Sequence, residues 1–479
     1  MLKLNEETRR ALWSRLIAAI EAYTRDVETL DVAPDLSVEK IHELLAPFNF
    51  ASPLEPAAAL DFAVAGLTKY QVHTPHPRYF GLFDPAPTTM GIAADALVAA
   101  FNPQLAAWSH SPFAVEIEEH LIRSFGERFG YDPARTDGTF CSGGAEANQT
   151  ALLAALAHHF PQFAEEGLRG LPAPPVFYIS AQSHHSFLKA ARFCGLGTNA
   201  VRQIPTSRNF GMDVGRLAAQ VREDRDAGLA PFLIVATAGT TSGGVIDDLP
   251  AMAQLAADES LWFHVDAAWG GAAVLAPELR AAVAGIERAD SITFDAHKWL
   301  SAPMAAGMYL TRHSDILDRA CRITTEYMPR DSAGLAVTDP YTHSLQWSRR
   351  FIGLKVFLSL AVAGWDGYER VISRQTALAC LLRAQLAERE WQIVNQTPLP
   401  VVCFTDGRTQ RGNKSAYLDA VARDVVNSGR AWLSTTRLDD ETPVLRACIT
   451  NYDTQADDVT ALVALLDEAR WRVAEGKAE

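Results

Sequence analysis

Two short apolar runs each end in residues able to do chemistry. Leu261 to Val265 closes on Asp266, and Ser291 to Phe294 runs into Asp295-Ala-His297-Lys298-Trp-Leu300. Runs of this length read as buried strands, and strand C-terminal ends in an α/β sheet face the crevice where ligands bind. An amine and a carboxylate delivered to one crevice suit pyridoxal phosphate (PLP). The lysine forms a Schiff base with its aldehyde, and the carboxylate keeps a proton on the pyridine nitrogen, so the ring can accept electrons from a breaking bond. Taken singly, an aspartate at a strand end is usually a cap and a lysine is usually solvated. The pair gains meaning from what precedes it.

Upstream stands a glycine-rich turn, Gly138-Thr-Phe-Cys-Ser142-Gly-Gly144-Ala145-Glu-Ala-Asn148, followed by a helical run from Thr150 to Leu156. Glycines let a backbone approach a phosphate, and a helix start offers free N–H groups. The strand Val176–Ser180 leads to Ser183-His184-His185-Ser186, where the planar His184 imidazole could stack on a pyridine ring. Thr237 ends the strand Phe232–Thr237 and could bond ring substituents or Asp266. His297, next to the lysine, could touch phosphate or substrate, or move protons.

These clusters need a frame that brings strand ends together. Apolar runs alternating with helical patterns predict crossover units and a mainly parallel sheet with flanking helices, an α/β fold. Gly307-Met-Tyr-Leu310 reads as one more strand. Ahead of this frame, residues 5–30 and about 37–45 are patterned as helices. Such an arm has no partner in its own sequence neighbourhood and could pack across a dimer or on its own domain. Between about 324 and 340 the chain loses periodicity and carries two prolines and a glycine, the pattern of a mobile lid or link. The tail alternates helices with short strands. The expected division is a helical segment over 1–83, a large domain over 84–355 and a small α/β domain over 356–479.

The totals set limits. With 479 residues, 48% hydrophobic and 21% charged, the chain is globular in composition and long enough for more than one core. A net charge of −14 argues against nucleic acid or an anionic membrane as partner. The six cysteines are scattered without CxxC spacing, which points to a reducing cytoplasm with neither disulfide framework nor metal site. The first ten residues have no apolar signal region, and no apolar stretch suits a membrane span.

Taken in order, Ser142-Gly-Gly-Ala-Glu-Ala-Asn148, Ser183-His184-His185-Ser186, Thr237-Ala-Gly-Thr-Thr241, His264-Val-Asp266-Ala-Ala268-Trp-Gly-Gly271 and Asp295-Ala-His297-Lys298-Trp-Leu300 resemble the group II PLP-dependent amino-acid decarboxylases. That family includes aromatic amino acid, tyrosine, histidine and glutamate decarboxylases. The resemblance runs from about residue 76 past Arg446. It implies the fold-type I, aminotransferase-like architecture and a homodimer with a shared active site. Lys298 would carry PLP, and Asp266 would pair with its ring nitrogen. His184 and Ala268 would cover the two ring faces. Gly144, Ala145 and Asp295 would contact the phosphate, with Thr237 near the ring and His297 beside the lysine. Tyr327 stands where the family has a loop tyrosine that protonates the carbon left by carbon dioxide. Arg446 matches an arginine that meets the substrate carboxylate in glutamate decarboxylases. The family often has Asn in place of Asp295, Ser or Thr in place of Ala145, Tyr or Ser in place of His185, and tyrosine in place of Leu82; Phe83 is kept.

The expected reaction is decarboxylation of an L-amino acid to its amine, a step in carboxylic acid metabolism. Aromatic substrates are favoured by the cluster Tyr79-Phe80, Phe83, Trp108 and Phe113, while Arg78 or Arg446 could serve an acidic side chain. An aldehyde synthase would use the same residues, but tyrosine at 327 favours the plain decarboxylase. A lyase acting on phosphorylated amino alcohols fits the lysine motif less well, and a PLP carrier without turnover would need a degraded site.

Overall fold

The computed structural model describes residues 2–34, 37–328, 334–408, 414–439 and 442–476. Part of the aperiodic stretch expected between 324 and 340, residues 329–333, lies outside them. The described parts of that stretch carry turns and bends, then one 3-10 turn at Pro340–Thr342.

The N-terminal arm is three helices, Glu6–Asp26, Val38–Leu45 and Pro56–Lys69. Their starts are set locally: the Asn5 side chain accepts from the Thr8 N–H, and Ser37 from the Lys40 N–H. None of the three buries a residue fully, and Trp13, Ile17, Leu45 and Leu67 remain exposed.

The large sheet is built from β1 (Asp137–Cys141), β2 (Pro175–Ser180), β3 (Val201–Ile204), β4 (Ala230–Thr237), β5 (Trp262–Asp266), β6 (Ser291–Asp295) and β7 (Gly307–Thr311), in the order β1-β7-β6-β5-β4-β2-β3. Pairings from β3 through β6 are parallel, and β7 is antiparallel to both β6 and β1. The expected mainly parallel sheet is present, with β7 as its exception: after the β6 end the chain turns through Trp299–Ala306 and comes straight back. The inner strands β2, β4, β5 and β6 read as largely apolar runs because helices bury both faces. Val265, Ile292, Phe294 and Leu310 pack with Phe125 of the helix Pro112–Arg128 and with its C-cap Phe129. A second cluster joins Phe177, Leu233 and Val235 to the helix Gly144–His159.

The tail forms an antiparallel sheet of β8 (Trp391–Ile393), β9 (Val401–Asp406), β10 (Ser434–Arg437) and β11 (Pro443–Cys448), in the order β10-β11-β9-β8. It has its own core with the helices Lys414–Asn427 and Ala456–Ala474. A 36-residue helix, Gly353–Glu388, contributes to both cores and is kinked at Gly364. The segment before the large sheet is tied to the small one, since the Phe80 N–H donates to the Trp432 carbonyl and the Cys448 N–H to that of Phe80. Gly81 and Phe83 are thereby carried to β11.

Candidate active site

The C-terminal ends of β1, β4, β5 and β6 open on one crevice. Asp266 closes β5, and its carboxylate is held on both oxygens. Oδ1 accepts from the Ala268 N–H at 3.1 Å and Oδ2 from Asn148 Nδ2 at 2.9 Å. Asn148 sits one turn into the helix that follows the glycine turn. Its amide also donates to Ser186 Oγ at 2.9 Å, and its Oδ1 lies 3.3 Å from His264 Nε2. His264 lies two residues before Asp266 on β5, with Nδ1 2.8 Å from Ser291 Oγ. Asn148 Oδ1 can only accept, so the ring's proton sits on Nε2 and Nδ1 accepts from the Ser291 hydroxyl, to which Trp262 Nε1 also donates at 2.9 Å. Burial pushes the His264 pKa down to about 3, so this ring stays neutral.

Lys298 follows β6. Its Nζ lies 3.0 Å from Asp295 Oδ2, and His297 Nε2 is 3.8 Å from the same oxygen. The Ala306 N–H donates to His297 Nδ1 at 3.2 Å, which fixes that ring's tautomer. Burial lowers the His297 pKa, and Asp295 offsets part of this. The Asp295 carboxylate is buried, with no hydrogen-bond partner of good geometry among the described residues. It faces the start of the helix Gly144–His159 closely: a Cβ at Gly144 would stand 2.9 Å from Asp295 Oδ2 and 3.3 Å from the Ala268 Cβ. On the other side, a Cβ at Gly307 would come within 2.6 Å of the Gly143 Cα and 2.8 Å of Asp295 Oδ1. Only glycine at 144 and 307 lets these backbones approach.

Thr237 is opposite Asp266 in register, with its N–H bonded to Asp247 Oδ2 at 2.8 Å and its hydroxyl 3.3 Å from Ser183 Oγ. Surrounding protein lowers the His184 pKa, while the Asp266 charge raises it and Lys298 lowers it again. His184 therefore stands within electrostatic reach of both. The Ser142 N–H and hydroxyl both bond Glu146 Oε2, at 2.8 and 2.7 Å, whereas Gly144 and Ala145 begin the helix with no helical carbonyl behind their N–H groups.

A cofactor with a phosphate, a basic ring nitrogen and an aldehyde fits this donor set. The glycine cradle leaves room that a Cβ would fill, Asp266 is held ready for a ring N–H, and Lys298 offers an amine, its side chain 24% exposed. Lys298, Asp266, Ala268, Gly144, Thr237, His184, His297 and Asp295 are thus brought together.

Arg446 belongs to a second wall. It is buried on β11 between the small sheet and the crevice loops. Nε donates to the Thr241 carbonyl at 3.0 Å, Nη1 to that of Gly81, and the guanidinium lies 4.8 Å over the Phe83 ring. Nη2 is buried without a hydrogen-bond partner among the described residues. Phe83 stacks on Trp269, with ring centroids 4.4 Å apart.

Other expected residues lie apart. Trp108 is tied to Glu116 through its indole N–H and to Asp339 through its backbone, and no described contact joins it to Lys298. Tyr327 is 74% exposed and stacks on Trp347. Arg78 is paired with Asp458 at 2.9 Å. The aromatic cluster is dispersed: Phe80 enters the small core, Tyr79 meets Trp432, and Phe113 is 75% exposed. Asn148, Glu146 and Asp247 had no role assigned from sequence. Only Asn148 left a signal, standing one helical turn after Gly144.

Residues 42–406 match the conserved domain of pyridoxal-dependent decarboxylases. The chain is 29% identical over 468 residues to an aromatic-L-amino-acid decarboxylase of Bacillus atrophaeus, covering 96% of this chain and 95% of the relative. It is 32% identical to the cysteine sulfinic acid decarboxylase of Mus musculus over 338 residues, 70% of this chain and 68% of the relative. The crystal structure of mouse CSAD superposes with a TM-score of 0.88 at 27% identity, covering 96% of this chain and 98% of that one. The Oryza sativa TDC with PLP and tryptamine shares the fold, with a TM-score of 0.92 at 24% identity and coverage of 98% and 99%. On these grounds the chain belongs to the pyridoxal-dependent decarboxylase family, as a carboxy-lyase that removes carbon dioxide from an L-amino acid with pyridoxal phosphate as cofactor.

Proposed function

We propose that the chain decarboxylates aromatic L-amino acids to their amines, as a cytoplasmic homodimer with Lys298 as the cofactor's attachment point. The convergence of Lys298, the clamped Asp266 carboxylate and the glycine-bounded helix start carries this reading. Asp266 would hold the ring N–H, with His184 and Ala268 on either side of the ring and Thr237 near its edge. The Gly144 and Ala145 N–H groups would hold the phosphate, next to Asp295. When bound, PLP supplies an electron sink for the bond that breaks. The chain's residues decide which bond that is: Arg446 holds the substrate carboxylate through its unpartnered Nη2, and the Phe83–Trp269 stack walls the side chain. His297, neutral and buried, serves at the lysine. Tyr327 delivers a proton to Cα, which requires its exposed segment to close over a site of its own or a partner subunit.

Full-length similarity to an aromatic decarboxylase supports the substrate class. A second reading, acidic substrates, is favoured by the same unpartnered Arg446 nitrogen and by the 32% identity to acidic amino acid decarboxylases such as that of Bos taurus. The uncovered apolar side chains of the arm support a dimer. The two sheet cores support a large and a small domain, taken as 84–355 and 356–479 after a helical segment over 1–83, with the helix Gly353–Glu388 shared between the cores. The test follows carbon dioxide, amine and hydrogen peroxide from a panel of L-amino acids, with Lys298→Ala as control. Amine from an aromatic substrate supports the first reading, and amine from glutamate or aspartate the second. Carbon dioxide with peroxide and aldehyde would move the chain to the oxidative branch.

A further inference from the structure

The turn that carries the chain from Lys298 back into β7 is held in an unfavourable backbone. Ser301 and Ala305, neither of them glycine, have φ of 56° and 64°, the left-handed region that L-residues adopt at a cost. Such a conformation persists only where surrounding groups over-determine it. The turn's far end, Ala306, donates its N–H to His297 Nδ1 and its carbonyl accepts from the Ala296 N–H. Its near end is bonded from the Ser301 N–H to the Lys298 carbonyl at 3.2 Å. Backbone drift in this turn therefore moves both His297 and Lys298.

One side chain grips the strained part. Lys355, 3% exposed, donates through Nζ to the Met304 carbonyl at 2.6 Å and to Asp95 Oδ2 at 3.2 Å. Asp95 lies on the helix Thr89–Phe101, whose start is fastened to the same turn by the Thr88 N–H to the Ser301 carbonyl at 2.9 Å. A lysine in the first turn of a helix meets the wrong end of the helix dipole, and burying its charge costs desolvation, so this position is poorly chosen for stability alone. Burial accordingly draws the Lys355 pKa down, with Asp95 opposing.

We propose that Lys355, paired with Asp95, is a positioning residue: its bond to the Met304 carbonyl holds the strained Ser301–Ala306 turn and so sets how His297 and Lys298 face the cofactor. This rests on Lys298 being the attachment point, as proposed above.

Lys355→Met should fold, because Asp95 keeps Arg350, whose Nη2 is 3.0 Å from its Oδ1, as a charge partner. The apo protein is mixed with PLP, reduced with borohydride at timed intervals, and the mass gain on Lys298 is followed alongside thermal melting. Loss of a charged hydrogen bond at the turn predicts a labelling rate about tenfold slower, with little change in melting. Lys355→Arg should restore part of the rate. Ala305→Gly in the Lys355→Met background should also restore part of it, since glycine takes this φ without a side-chain penalty. Wild-type labelling in Lys355→Met would overturn the proposal. So would a slowed rate that Ala305→Gly leaves untouched, which would mark a general packing role. Should Lys355→Met fail to fold, Asp95→Asn serves: slower labelling supports the proposal and an unchanged rate refutes it. Labelling of a different lysine in the wild type would instead sink the assignment of Lys298.

Discussion

Replacing Asn148 by leucine, which keeps its size and removes its amide, tests whether Asp266 is a clamped carboxylate or merely a buried one. In the folded protein this one side chain bonds Asp266 Oδ2 and Ser186 Oγ at 2.9 Å each and faces His264 Nε2 at 3.3 Å. The bond to the carboxylate is charge-assisted, worth roughly 1.5–3 kcal/mol, and the bond to Ser186 about 1 kcal/mol. His264 keeps a second acceptor, Thr293 Oγ1 at 3.3 Å, so its loss is cushioned. The neutral share falls on stability. The charged share falls on whatever depends on the placement of Asp266, and at 1.4 kcal/mol per tenfold it amounts to roughly 10- to 100-fold. The expected result is cofactor retention weakened by that factor in equilibrium dialysis. Asp266 would still be backed by the Ala268 N–H. The decarboxylation rate at saturating cofactor should fall as well. Retention and rate within about twofold of wild type, in a protein with native circular dichroism, would refute the clamp.

Other consequences can be measured separately. Gly307→Ala places a Cβ 2.6 Å from the Gly143 backbone, so it should displace the glycine turn at about 1–3 kcal/mol and weaken cofactor retention; unchanged retention would contradict the cradle. Arg446→Met should raise KM far more than it alters cofactor binding, since its contacts are Gly81, Thr241 and Phe83, apart from the lysine crevice. Acidification should destabilise the fold. Burial holds His264 at about 3 and His159 at about 4, so below their usual 6.5 the unfolded chain gains protons the folded one refuses. At pH 5 this costs about 2 kcal/mol for His264 alone. Asp247, pushed up to about 6 by burial, acts in the opposite sense from about pH 6 down to its ordinary value. The melting temperature should therefore drop between about pH 6.5 and 5, less steeply in His159→Asn and more steeply in Asp247→Asn; a flat profile would count against both histidines. Trp13→Glu with Ile17→Glu, which charges the uncovered arm, should lower the molecular mass in solution from dimer to monomer.

Much of the crevice was legible because its residues sit at strand ends, and strand ends are written in sequence as apolar runs that stop. Asp266, Thr237 and Lys298 were found that way. β1 was not, since Asp137-Gly-Thr-Phe-Cys141 lacks an apolar run and is a strand only because β7 pairs with it. The direction of β7 was equally hidden, for a buried strand looks the same whichever way it runs. The aromatic cluster is scattered because the chain bends through residues 81–83, so Phe80 enters the small core and Phe83 the large one. Arg446 was singled out, but its partner Gly81 lies 365 residues earlier, beyond any local pattern. Lys355 reads in sequence as an ordinary helical lysine, and only packing gives it the Met304 carbonyl.

The reversed strand has a bearing on how the protein is made. β1 and the glycine turn emerge from the ribosome early, yet among the described strands β1 pairs with β7 alone, whose residues Gly307–Thr311 are synthesised some 170 positions later. Until then the phosphate cradle lacks one wall and the lysine has not been placed. A nascent chain therefore cannot present the complete crevice while only its first half is out; the site is finished when the longest-range pairing in the large sheet is made.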